Sequence, residues 1–406
     1  MRNVVFAIPF FKETTLRFVR GLTHLPDVRL GLVTQDPRNA LPPDIERVLV
    51  GHWQVSDGLD PEQLLAGVRG VASQMGSVDR LVGTLEQLQV PLGYVRDRMG
   101  LEGIGEQIAT NFRDKSRMKT VLRAAGVPCA RHRLATDSSE ALSFVALVGY
   151  PVVAKPPDGA GAKATYRIEH EEQLRDVLQG LPPSPEHPVL FEEFMTGEEH
   201  SFDGVNVGRE TIWHSLTRYA PTPLHVLENP WIQWTVLLPR EVDDPRYDEI
   251  RRVAKKALHA LGMGTGVSHM EWFRRPDGHV AISEVGARPP GAQICSLIGY
   301  AHDVDFYGAW GRLVATDQFT KPARKFACGA AYLRAQGAGR VARVHGVEAA
   351  YRELGPLIVE ARIPEIGQAP SGSYEGEGYV LLRHPSTEVV EQGLRRLVSL
   401  VRVECA

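Results

Sequence analysis

The stretch Gly266–Gly291, GVSHMEWFRRPDGHVAISEVGARPPG, decides how the rest of the chain is read. Two apolar-rich segments flank Pro276-Asp277-Gly278, and Asp-Gly between such segments is a strong β-hairpin signal. With Asp277 and Gly278 as a two-residue loop, Pro276 faces His279 and Glu271 lies directly opposite Glu284. Opposed side chains in an antiparallel pair sit roughly 4.5–5.5 Å apart at Cβ, and like charges there repel. Two facing carboxylates ask for a shared proton or a cation. All-oxygen ligands suit Mg²⁺ or Mn²⁺. Arg288 follows Glu284 by four residues, on the same face of an extended chain. A permanently charged fork beside such a site suits negative charge developing on a phosphoryl or acyl-phosphate oxygen. Two alternatives stand beside this reading. One is a salt-bridged surface hairpin; the other is a three-residue loop, which would slip the register and separate the carboxylates.

The chain's 406 residues suffice for two or three domains and a sizeable core. Its 46 basic and 49 acidic residues leave a net charge of −3 without a basic run, so nothing recommends nucleic acid. The four cysteines, Cys129, Cys295, Cys328 and Cys405, lack any paired spacing, which argues against a zinc site or disulfide framework and for a reducing compartment. The apolar run from Val4 to Phe11 contains Pro9, stops at Lys12-Glu13 and reads as a first strand rather than a leader. No run approaches the ~20 apolar residues of a membrane span. A soluble, cytoplasmic protein is expected.

Working outward, residues 1–110 alternate strand-like and helix-like segments, which predicts an open parallel α/β sheet. Asp60 caps a helix there and Pro61 starts it. The first strand runs into Pro-Phe-Phe-Lys-Glu-Thr instead of Gly-x-Gly-x-x-Gly, so dinucleotide binding at that turn is unsupported. In residues 111–190, a helix opening at Asp114-Lys115 carries Met118, Val121, Leu122 and Ala125 on one face. The strand-like run Tyr150–Pro156 then ends on a lysine, Lys155, before a Gly-Ala loop containing Gly159, Gly161 and Lys163. Such a loop lets backbone approach phosphates, although a plain surface loop has the same composition. Residues 191–325 supply a strand with Glu192-Glu193-Phe194-Met195, then Gly197-Glu198-Glu199, then an aromatic stretch from Pro221 to Pro239. That stretch reads as irregular and suited to covering a substrate. A helix with Ile250, Val253, Ala254, Ala257, Leu258 and Leu261 on one stripe precedes the hairpin. Residues 326–406 read as a small α+β module with a glycine-rich turn, and nothing in it suggests chemistry.

These signals fall in a specific order: a lysine opening a helix, a lysine ending a strand before a glycine-rich loop, Glu-Glu-Phe-Met, Gly-x-Glu, then Glu…Glu-x-x-x-Arg. In that order the chain resembles the ATP-grasp superfamily over about residues 1–310, and its C-terminal module is similar to that of ATP-dependent L-amino acid ligases. The resemblance implies a three-domain architecture: an N-terminal parallel α/β domain, a two-lobed α+β grasp holding ATP between its lobes, and the C-terminal module. It implies that Lys115 and Lys155 contact ATP phosphates while Gly159, Gly161 and Lys163 belong to a loop closing over them. By the same resemblance Glu192, Glu193 and Met195 lie on the adenine-binding strand and Glu199 binds ribose. Glu271 and Glu284 match the Mg²⁺ ligands, and Arg288 the arginine that stabilises the acyl-phosphate. Members often carry Asn two residues after the second metal carboxylate. Gly286 stands there instead, leaving the strength of a second metal site open.

The implied reaction is ADP-forming ligation of a small-molecule carboxylate to an amine through an acyl-phosphate, catalysed by Arg288 and Lys155 with no Ser or Cys nucleophile. A homodimer is left open. The competing readings are a carboxylase component of the biotin-dependent type and a nucleotide-regulated binding protein without turnover. Carboxylases of that type carry Gln-Val-Glu-His after the arginine, where this chain has Pro289-Pro290-Gly291-Ala292. Substrate choice is expected from the neighbourhood of Trp231–Trp234, His269 and Arg274.

Overall fold

The computed structural model describes residues 1–157, 165–229 and 231–406. Its first strands are parallel and ordered Gly51–Gln54, Val28–Thr34, Arg2–Ile8, Arg80–Val82. The helix Pro61–Met75 covers one face, with Asp60 accepting the Gln63 amide at 2.8 Å as its N-cap. Gly31 lets it settle close: a Cβ there would come within 2.4 Å of Val71 and 2.6 Å of Met75. The helix Glu13–Thr23 covers the other face. Its Phe18 packs edge-on against Tyr307 and Trp310 at 4.8 and 4.9 Å between ring centroids. That aromatic contact fastens the N-terminal sheet to the helix Phe306–Thr316 of the central region.

A second sheet, of four antiparallel strands, runs in the order His132–Ala135, Val189–Glu193, Val152–Lys155, Tyr166–Ile168. It forms a small lobe with its own apolar cluster. The helix Lys115–Ala124 instead sends Met118 and Leu122 into the cluster of the larger lobe, beside Leu258 and Trp272. Asp114 caps it, accepting from Arg117 at 2.9 Å. Across from it lies the amphipathic helix Asp248–Leu261, whose buried stripe is the one predicted, ended by Gly262 at φ 90°.

The large lobe is an eight-stranded sheet ordered Val280–Gly286, Gly266–Arg274, Glu198–Val207, Glu210–Ala220, Thr235–Leu238, Ala327–Leu333, Gly378–His384, Ile358–Arg362. The last three strands come from residues beyond 325. The C-terminal region therefore extends the large sheet, and a boundary drawn at 325 falls inside one hydrogen-bonded surface. Sequence alternation identified these strands but carries no information on which sheet they join. The stretch from Pro221 to Pro239 is also more regular than expected: it holds the helix Pro223–Glu228 and the strand Thr235–Leu238. Trp234 is only 1 % exposed, stacked on Tyr332 with its indole N–H on the Pro221 carbonyl at 3.1 Å, whereas Trp231 is 65 % exposed. Among the described residues no helix is long and apolar enough to cross a membrane.

Candidate active site

The hairpin pairs Glu271 with Glu284, but by a different route from the one the sequence suggests. Arg275 donates to the His279 carbonyl at 2.9 Å and Gly278 to Arg275 at 2.9 Å, so the loop has three residues, Pro276-Asp277-Gly278. Gly278 takes φ 84°, a conformation its missing Cβ permits. That loop shifts the pairing by one, giving Arg274 opposite Val280 and Trp272 opposite Ile282. A β-bulge at Ser283 then restores the register, and the carboxylates face each other after all. The bulge also presents the Ser283 carbonyl to Lys119, whose ammonium donates to it at 2.6 Å.

The hairpin lines one wall of a cavity of about 570 Å³ between the two lobes. Lys115 reaches Glu284 at 3.1 Å from the helix N-terminus. Lys155, at the end of its strand, lies 2.9 Å from Glu192, and the fully buried Lys119 approaches the same carboxylate at 3.2 Å. Burial alone would raise the Glu192 carboxyl, but the two lysines outweigh it and hold it below the usual carboxylate range. The Glu284 carboxyl is likewise pushed up by burial and pulled down further by Lys115 and Lys155. Glu199 goes the other way: burial and the neighbouring Glu271 charge push it well above its ordinary value.

Glu271 and Glu284 thus present two facing oxygen donors to the cavity, with the Glu199 carboxyl opposed to Glu271, and such a facing pair fits a hard divalent cation. Among the described residues no group of three or more His, Cys, Asp or Glu side chains is arranged to hold a metal alone. The donor set therefore suits an ion that completes its shell with water and phosphate oxygens, the usual habit of Mg²⁺.

His269 shares the cavity wall, two residues from Glu271 on the same strand face. Its Nδ1 meets the buried Asp203 carboxylate at 2.6 Å. Burial would lower this imidazole, but Asp203 and then Glu271 reverse the effect and lift it to about 9. Such a group contributes stability fully below the unfolded value of 6.5 and loses it as pH rises through about 9. We expect unfolding free energy to fall by on the order of 2–3 kcal/mol over that window from this source. Asp203→Asn should flatten the slope in urea titrations run at several pH values. An unchanged slope would exclude the pair as its origin.

The expected site residues have the following positions. Lys115, Lys155, Glu192, Glu193, Met195, Glu199, Glu271, Glu284 and Arg288 all line the one cavity. Gly159, Gly161 and Lys163 lie outside the described residues. Glu192 is committed to the sheet through its backbone, paired with Val153 and His132, so it offers the cavity its carboxylate rather than main-chain groups. Glu193 is tied to Arg131 by an ion pair. Of the substrate neighbourhood, Trp234 and His269 line the cavity; Arg274 does not, since its guanidinium donates to the Arg246 carbonyl at 2.8 Å.

Several residues were not singled out from sequence. Lys119 is one helical turn beyond Lys115 and lies on the same face, a spacing that could have marked it. Glu86 follows the strand Arg80–Val82 and holds Arg288 Nε at 2.5 Å. Tyr374, from the C-terminal glycine-rich turn, packs edge-on against Trp234 at 4.7 Å and reaches the cavity. No local pattern marks Glu86 or Tyr374, because both arrive from other parts of the chain.

A family description, the ATP-grasp domain, matches residues 120–300. An uncharacterized protein of Sinorhizobium fredii is 27% identical over 82% of this chain and 70% of its own length. The L-arginine-specific L-amino acid ligase of Bacillus subtilis is 27% identical over 62% of this chain, which spans 62% of that protein. The crystal structure of an L-amino acid ligase from Bacillus licheniformis superposes with a TM-score of 0.81 over 100% of this chain and 99% of that one. At 16% identity that likeness is one of fold. The ordered motifs, the two-lobed cavity and the matched description agree: residues 120–300 of the chain form an ATP-grasp domain.

Proposed function

We propose that the protein is an ATP- and Mg²⁺-dependent carboxylate–amine ligase that activates a small-molecule carboxylate as an acyl-phosphate and releases ADP. The observation that carries this reading is the single cavity in which Lys115, Lys155, the Glu271–Glu284 pair and Arg288 converge. Glu271 and Glu284 are the residues that would hold the metal, with Mn²⁺ as an alternative ion. When bound, it would neutralise phosphate charge and polarise the phosphorus–oxygen bonds. Lys115 and Lys155 add positive charge beside the transferring group, each fixed in place by a carboxylate. Arg288 supplies planar donors to the oxygens that gain charge as the amine attacks. The strand and turn from Glu192 to Glu199 form the wall assigned to the nucleoside, with Met195 and Phe194 as apolar surface for the base. The partners are therefore small molecules, and the four free cysteines suit a reducing, cytoplasmic setting.

The product nucleotide is the direct check. Turnover with ATP, Mg²⁺ and a panel of amino acids should release ADP and phosphate, separable by anion-exchange chromatography. AMP with pyrophosphate would mean that the carboxylate is activated by adenylation, and the reading would fail.

A further inference from the structure

Lys119 is fully buried and stands behind the residues that line the cavity, in contact with two of them, Ser283 and Glu192. Its ammonium reaches both lobes. It donates to the Ser283 carbonyl of the large-lobe hairpin at 2.6 Å and lies 3.2 Å from Glu192 Oε1 on the small-lobe sheet. The other oxygen of that carboxylate, Oε2, is 2.9 Å from Lys155. An ammonium without water is costly to bury even when paired, and a well-packed apolar side chain would serve stability as well or better. The charge of Lys119 therefore calls for a reason other than packing.

Charge counting supplies one. Lys155 is the cavity lysine assigned to the nucleotide phosphates, and Glu192 is close enough to cancel it. Left as a pair, the two would present a neutral wall where the phosphates arrive. Lys119 adds a second ammonium to the same carboxylate, so the three groups together carry one positive charge. Since Lys119 stands behind the wall, that charge faces the cavity through Lys155. The other carboxylates near Lys155 have their own partners: Glu271 and Glu284 are assigned to the metal, and Glu284 is also paired with Lys115 at 3.1 Å. Away from bulk water such a charge is weakly screened. We propose that Lys119 is a positioning residue for nucleotide binding, which occupies one oxygen of Glu192 and so leaves Lys155 positively charged towards the phosphates. This rests on the ligase reading above, in which Lys155 meets those phosphates.

The test is titration calorimetry of the full-length protein with ADP in the presence of Mg²⁺, and with adenosine. ADP binds without turnover, and adenosine lacks the phosphates. Lys119→Met removes the charge at similar length, and Lys119→Gln removes it while keeping an N–H for the Ser283 carbonyl. Either should weaken ADP roughly 10- to 100-fold, the scale of one charge-assisted hydrogen bond, and adenosine by less than about threefold. Adding Glu192→Gln to Lys119→Met removes the carboxylate that Lys119 offsets, and should return ADP affinity to within about threefold of native. A purely structural role would not be rescued in this way, because the double variant has lost more buried contacts than the single one. Equal weakening of ADP and adenosine, or a double variant that is not rescued, would make Lys119 a support for the fold and overturn the inference. Failure of both Lys119→Met and Lys119→Gln to fold would overturn it for the same reason. Native ADP affinity in the single variants would overturn it too, while leaving the ligase reading intact. No ADP binding by the native protein would remove the ligase reading and this inference together.

Discussion

Glu271→Gln and Glu284→Gln should each lose roughly 10²–10³-fold in turnover, yet only the second should destabilise the metal-free protein. Turnover falls in both because each removes one of two facing oxygen donors at the centre of the cavity. Stability separates them because their surroundings differ. Glu271 raises the Glu199 carboxyl by repulsion but also supports the His269 imidazole, so neutralising it removes one conflict and one contact, and melting temperature should hold. Glu284 is the partner of Lys115 at 3.1 Å, and its loss disturbs the charge balance of a lysine that is almost wholly buried. Breaking a buried pair costs 3–5 kcal/mol, but Glu284 is 32 % exposed, so about 1–3 kcal/mol and a few degrees is the reasonable expectation. From the facing count alone, both substitutions would appear harmless to the apoprotein; the Lys115 contact corrects that for Glu284. Calorimetry without Mg²⁺ beside steady-state phosphate release decides the matter. Equal destabilisation of the two variants would mark the pair as structural.

Arg288→Lys should lower turnover about 10²–10³-fold while ATP affinity hardly moves. The guanidinium already has two tasks, donating to Glu86 at 2.5 Å and to the Pro289 carbonyl at 2.9 Å, and it still has Nη2 left for a reacting oxygen. A lysine ammonium keeps the charge but cannot span these directions from one planar group. Drawn towards Glu86, it would sit where the carboxylate holds it. Nucleotide affinity is assigned to Lys115, Lys155 and the Glu192–Met195 wall, none of which contacts Arg288 by hydrogen bond. Titration calorimetry with ATP and phosphate release on the same preparation test the claim. Parallel loss of both would put Arg288 in the nucleotide site, and loss of neither would take it out of the mechanism.

How much of this was written in the sequence depends on how local each feature is. The helix Asp248–Leu261 was legible residue by residue, because 3.6-residue periodicity and a terminal glycine are local signals. The hairpin was legible only in outcome. Asp-Gly indicated a turn, but the loop is one residue longer than expected, and only the bulge at Ser283 returns Glu271 to Glu284. A bulge has no reliable signature in composition. Lys115, Lys155 and the two glutamates stand in motifs and could be found in order, whereas Glu86 and Tyr374 reach the cavity from about 200 residues before and about 90 after the hairpin arginine. Their roles depend on packing between distant segments, which periodicity does not encode.

The continuity of the large sheet past residue 325 bears on how this protein can be redesigned. Ala327–Leu333 is hydrogen-bonded to Thr235–Leu238 on one side and to Gly378–His384 on the other. The turn carrying Tyr374 is therefore anchored on the same sheet as Glu271. Grafting a relative's C-terminal segment as an exchangeable cassette would import foreign strand twist into the interior of that sheet, not append a tail to its edge. Chimeras aimed at new substrates should keep the three C-terminal strands native and exchange only the turn between Arg362 and Gly378, where the backbone leaves the sheet and returns to it.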